Sequence, residues 1–88
     1  MHDVMGRINT LLAEAEEASR EPAHTATLLS VIDVLQAVRD QAIRGDLSQR
    51  KLGRLGRELQ RTVLEDKSLA ESRLGQRLLH MSSQLTGE

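Results

Sequence analysis

The sequence predicts an all-α fold, namely an up-down bundle of four helices with short connections. Dimerisation could complete the core of this bundle. Two observations support this class. Apolar residues recur at spacings of three and four in four separate segments, which places them on one helix face in each. No segment alternates apolar and polar residues as a half-buried strand does. We therefore expect one domain over residues 1–88, with helices at about 3–20, 22–44, 47–65 and 69–85, and short links make consecutive helices antiparallel.

The first two predicted helices are separated by Pro22, the only proline of the chain. Proline fits the first position of a helix, where its missing N–H is not needed, so Pro22 can begin the second helix. Asp3 is a candidate N-cap of the first helix, and Gly45 is a candidate for ending the second. The expected core stripe of the first helix is Val4, Ile8, Leu11, Ala15 and Ala18. The second helix has an apolar arc wide enough to be shared with a second chain: Leu28, Val31, Ile32, Leu35, Val38 and Ala42, flanked by Leu29, Val34 and Ile43.

The last two predicted helices begin at capping signals. Asp46 with Gln49, and Ser68 with Glu71, have the spacing of a capping box, in which the two residues satisfy each other's backbone N–H groups. The expected core faces are Leu52, Leu55, Leu59 and Val63 in the third helix, and Leu74, Leu78, Met81 and Leu85 in the fourth. The sequence Arg-Leu-Gly occurs at both 54–56 and 73–75, an echo that we attribute to the limited composition.

The core has to be built without aromatic side chains, because the 88 residues include no Phe, Trp or Tyr. Aromatic residues bury roughly 150–250 Å² each, and a chain this short buries only about 60% of the surface that its unfolded form exposes. Oligomerisation is a usual source of extra stability for such a chain, so we expect a homo-oligomer. The residues that we place in the core first are Leu28, Ile32, Leu35, Leu55, Leu59, Leu74 and Leu78.

The composition also excludes several kinds of functional site. The chain has no cysteine, which rules out disulfides, thiolate nucleophiles and cysteine zinc sites and favours a reducing, cytoplasmic location. We expect no signal peptide and no membrane span, since no apolar run approaches the roughly 20 residues that a bilayer requires. The three histidines, His2, His24 and His80, are too scattered to form a local metal motif. No nucleophile motif or glycine-rich phosphate loop is present, so we expect neither enzymatic activity nor a cofactor.

The third predicted helix carries a row of arginines. At 100° per residue, Arg50, Arg54, Arg57 and Arg61 fall within an arc of about 60°, opposite the leucine face. We call these four residues the arginine strip. Guanidinium groups form bidentate contacts with carboxylate and phosphate. The strip therefore has three interpretations: a solvated outer face, a docking site for an acidic protein surface, or a nucleic-acid site.

The overall charge distribution bears on that choice. The net charge is −1, which argues against a general polyanion binder. Residues 1–40 carry three positive and seven negative side chains, whereas residues 41–88 carry nine positive and six negative. The two halves can attract each other within one fold. The absence of aromatic residues weakens the nucleic-acid interpretation further, because bases in single strands stack on aromatic rings.

Two glycines lie between the leucine face and the arginine strip. Gly53 and Gly56 each cost about 1 kcal/mol in a helix relative to alanine. Such a pair can allow another helix to approach closely or can mark a kink, and unselected drift would equally account for it. Our hypothesis is a close-packing role for both.

These observations predict a small, non-enzymatic helical module for protein–protein interaction. An adaptor, a regulator or an immunity-type inhibitor would each fit this description, as a homo-oligomer with an acidic partner surface. The alternative is a small DNA-binding regulator that uses the arginine strip, since arginine side chains also neutralise phosphates.

Overall fold

Five α-helices and one short 3₁₀ turn form the part of the chain that the structure describes. The computed structural model describes residues 2–45 and 48–87, with side chains from Met5 onward. The elements are α1 (His2–Ala18), a 3₁₀ turn (Pro22–His24), α2 (Thr25–Ile43), α3 (Gln49–Glu65), α4 (Lys67–Glu71) and α5 (Arg73–Thr86). These ranges contain no strand, which confirms the all-α class.

α3 packs against two other long helices, α5 and α2. α3 lies along α5 and also contacts α2, while α1 packs on α2 and touches α5. The short α4 bridges the ends of α3 and α5. The arrangement measures 35 × 22 × 18 Å. One face of α3 is therefore covered by two other helices, and its opposite face is left to solvent.

The structure differs from the prediction in the fourth segment, where it has two helices instead of one. Ser72 takes an extended conformation (φ −76°, ψ 163°) that ends α4 after five residues, and its Oγ accepts a hydrogen bond from the Gly75 N–H to begin α5. Asp66 caps α4 by accepting from the Leu69 N–H at 3.1 Å. The predicted capping box of Ser68 and Glu71 is therefore wrong, because both residues lie inside α4. The N-caps of α4 and α5 are Asp66 and Ser72.

The other helix ends follow the sequence signals in part. Gly45 follows α2 with φ +73°, the left-handed conformation that glycine adopts at a helix end. Pro22 begins the 3₁₀ turn, and α2 itself begins three residues later. Asp3 lies within α1 and not before it. The cap predicted at Asp46 lies outside the described residues, and Ser48 caps α3 by accepting from the Lys51 N–H at 3.3 Å.

Aliphatic side chains from every helix form one core. Five of the seven residues placed in the core first are buried, while Leu55 and Leu74 are only partly buried against it. The wide apolar arc of α2 is mostly covered within the single chain, since the flanking Val34 is buried. The other two flanking residues, Leu29 and Ile43, remain 54% and 71% exposed.

A polar contact joins the α1–α2 connection to the α3–α4 junction. His24 Nδ1 donates to Asp66 Oδ2 at 2.8 Å, and both side chains are largely covered, with 20% and 17% exposed. Asp66 thus fixes two elements at once, since it also caps α4. The hydrogen bond with His24, followed by that from the Leu69 N–H, holds the pKa of the Asp66 carboxyl below its usual value of 3.8.

The contact between His24 and Asp66 predicts that the fold loses stability in acid. A carboxylate whose pKa is lowered by folding stabilises the fold above the unfolded value of 3.8, and that contribution is lost as the pH falls through the lower folded value. On acidification below about pH 4, the unfolding free energy should fall more for the natural chain than for Asp66→Asn, in which asparagine still caps α4. Urea unfolding at a series of pH values measures this difference. Parallel pH profiles for the two chains would contradict the prediction.

Candidate functional site

The arginine strip forms the solvent face of α3. All four of its side chains are exposed. On the opposite side of the helix, Leu59 and Val63 are fully buried against the core. The strip runs from Arg50 to Arg61, eleven residues or about 17 Å along the helix axis. The structure thus places all four predicted residues side by side on one accessible surface.

Few acidic groups neutralise this surface within the chain. Arg61 Nε lies 3.8 Å from Glu65 Oε1, and both side chains are more than 70% exposed, so this pair contributes little to stability. Within the described ranges no carboxylate lies within 4.0 Å of Arg50, Arg54 or Arg57. Like charges three and four residues apart on a helix repel one another. Glu58, four residues from Arg54 and three from Arg61, offsets part of this repulsion, as does Glu65 beside Arg61.

Another arginine shows the contrast. Arg77 on α5 donates through Nη1 to both carboxylate oxygens of Glu14 on α1, at 2.5 and 2.6 Å. This contact joins two helices at the surface and pairs the Arg77 charge with a carboxylate of the same chain. In the part of the chain that the structure describes, no arginine of the strip makes such a contact with another helix, and all four side chains are exposed.

The strip carries two shallow clefts. The first has a volume of about 360 Å³ and is lined by Arg54, Arg57, Glu58 and Arg61. The second, of about 350 Å³, continues toward the carboxyl end of α3 and is lined by Arg57, Gln60, Arg61, Leu64 and Glu65. The surface is therefore grooved along the helix, with guanidinium groups at both clefts.

The two glycines beside the strip have different surroundings. A Cβ atom at Gly56 would lie 2.9 Å from the Ser82 carbonyl oxygen and 2.9 Å from Thr86 Cγ2, so Gly56 allows α5 to approach closely. A Cβ atom at Gly53 would meet only Arg57 Nη2, at 3.6 Å. Gly56 thus supports the helix that carries the strip, whereas the nearest neighbour of Gly53 is a side chain of the strip itself.

A third glycine was missed by the sequence reasoning. A Cβ atom at Gly75 would overlap the Leu69 carbonyl oxygen and lie 2.6 Å from the Leu69 carbonyl carbon. The repeated Arg-Leu-Gly sequence was the available signal, because both of its glycines are buried at close backbone contacts.

Other kinds of site were sought in the same residues. Among side chains in the described ranges, no group of three or more His, Cys, Asp or Glu is placed to hold a metal ion. No helix in those ranges has the length and apolar character needed to cross a bilayer. A scan of protein-family models and searches of curated proteins and solved structures gave no match. The arginine strip is therefore the candidate site, on the grounds of its exposure and of the three arginines that have no carboxylate within 4.0 Å among the described residues.

Proposed function

We propose that this chain is a non-enzymatic helical interaction module that docks an acidic protein surface on the arginine strip. The observation that carries the proposal is the exposure of four aligned guanidinium groups of which only Arg61 has a carboxylate within 4.0 Å in the described residues. An adaptor, a regulator and an immunity-type inhibitor all work by such docking. Arginine suits it because its planar fork binds a carboxylate through two hydrogen bonds.

The observations favour an acidic protein over nucleic acid. The net charge of −1 opposes long-range attraction to a polyanion, and the strip is flanked by Glu58 and Glu65. Carboxylates spaced three and four residues apart on a partner helix would match the spacing of the strip. Duplex DNA binding by the strip is the alternative, and the experiment below distinguishes the two.

Self-association is also part of this proposal. The core lacks aromatic residues, and Ile43 at the end of α2 is 71% exposed. A second copy that covers part of this apolar surface would add the stability that a small aliphatic core lacks.

The proposal predicts that binding depends on the position of the arginines and not on net charge alone. The probe is a fluorescent Glu-rich helical peptide of about four turns. Arg54→Gln combined with Arg57→Gln should weaken its binding about tenfold, since each exposed ion pair contributes up to about 1 kcal/mol and about 1.4 kcal/mol is tenfold in affinity. The control, Arg44→Gln with Arg73→Gln, removes the same charge from exposed arginines outside the strip and should change affinity less than about twofold.

Fluorescence anisotropy of the peptide measures its binding, and each result supports or contradicts the proposal. Equal losses in both double variants would show nonspecific attraction and overturn docking at the strip. Tighter binding to generic duplex DNA, falling steeply with salt, would support the DNA-binding alternative. Light scattering of the free chain at low and high salt tests self-association, since a salt-resistant dimer supports it and a monomer under both conditions removes it from the proposal.

A further inference from the structure

We propose that the acidic partner segment also carries an apolar side chain, which docks on Leu64 at the carboxyl end of the arginine strip. This inference rests on the proposed function and adds the chemistry that would select one acidic segment over another. The partner is then an acidic amphipathic segment, not simply a concentration of negative charge.

The position of Leu64 is the first observation. Leu64 is 53% exposed, whereas the preceding residue, Val63, is fully buried. At 100° per residue, Leu64 lies within about 20° of Arg57 and 60° of Arg61 on the helix circumference. A large apolar side chain therefore continues the line of the strip on its solvent side.

The surroundings of Leu64 are the second observation. It lines a cleft of about 350 Å³ with Arg57, Gln60, Arg61 and Glu65. These four side chains have aliphatic stems and polar ends. Such a cleft offers an apolar surface beside guanidinium groups. This matches the composition of docking sites in which one apolar residue fills a depression while charged contacts surround it.

Among the described residues, the other leucine that is more than half exposed does not offer the same combination. Leu29 on α2 is 54% exposed, but the side chain one turn later on its face is Asp33, an exposed carboxylate. An acidic partner would be repelled there. The Leu64 cleft has two arginines and one glutamate, so its net positive charge complements an acidic segment. Leu29 supplies a control of equal exposure.

The position of Leu64 at one end of the strip also sets the orientation of a bound partner helix. The apolar contact lies at one end of the strip, and the arginines extend from it toward the amino end of α3. A bound helix would place its apolar residue at Leu64 and its carboxylates one and two turns away, beside Arg61 and Arg57. The two matched probes are therefore a Glu-rich helical peptide with one terminal leucine and the same peptide with glutamine in that position.

The test is a cycle of two chains and two peptides, measured by titration calorimetry. Leu64→Gln should weaken binding of the leucine peptide about tenfold, as expected for losing the burial of one leucine side chain. It should leave binding of the glutamine peptide unchanged within about twofold, which shows that the two leucines contact each other. Leu29→Gln should change neither affinity. Because Leu64 and Leu29 are both exposed, thermal melts of the two variants should match that of the natural chain.

The results separate the two proposals. If Leu64→Gln weakens neither peptide, or weakens both equally, apolar docking on Leu64 is overturned. In that case a retained loss in the Arg54→Gln, Arg57→Gln variant keeps the proposed function. If the natural chain binds neither peptide, the proposed function and this inference both fail.

Discussion

Gly75→Ala is expected to destabilise the fold by about 3 kcal/mol or more, the upper range of overpacking effects. The added methyl group would overlap the Leu69 carbonyl oxygen and lie 2.9 Å from Ala70 Cα, so it meets backbone and not a movable side chain. α4 would have to move away from the start of α5. For a small domain of marginal stability, a loss of this size is a large part of the total.

Urea unfolding followed by circular dichroism measures this effect. The matched control is Gly6→Ala, because Gly6 also lies inside a helix but has nothing within 4 Å of its added methyl group. Removing a flexible glycine there should stabilise the chain by about 0.5–1 kcal/mol. If Gly75→Ala were as stable as the natural chain, the close contact between α4 and α5 would be absent in solution.

The break between α4 and α5 shows why the fourth predicted helix was too simple. Asp66, Ser68 and Ser72 are all good N-cap residues within one short segment, so local preference does not choose among them. The close packing of Gly75 on Leu69 is a contact between α5 and α4, and it favours the break at Ser72. Sequence periodicity does not contain that information, which is why the helical faces were predicted and the break was not.

In α3, too, the sequence predicts one structural feature and not another. The exposure of the arginine strip follows from the angle between residues and was predicted. The partial exposure of Leu55 was not predicted, because the buried face of α3 is shifted toward Gly56, where α5 approaches. A pattern of leucines gives the apolar face of a helix, but the position of the neighbouring helix depends on where small residues permit contact.

Gly56→Ala and Gly53→Ala, three residues apart on one helix, are expected to have opposite effects. At Gly56 the added methyl group would lie 2.9 Å from the Ser82 carbonyl oxygen and 3.0 Å from Leu85 Cβ, so α3 and α5 must separate slightly. We expect a loss of about 1–3 kcal/mol. At Gly53 the nearest group is the mobile end of Arg57 at 3.6 Å, and alanine should stabilise the helix by up to about 1 kcal/mol.

The measurement is the free energy of unfolding of both single variants and of the double variant. The double variant measures the coupling between the two changes, which lie three residues apart on one helix. Stabilisation by both substitutions would mean that α5 does not pack on Gly56 in solution. A loss at Gly56 alone would mean that the spacing between α3 and α5 is set at one residue, and that the helix bearing the arginine strip is held at this contact.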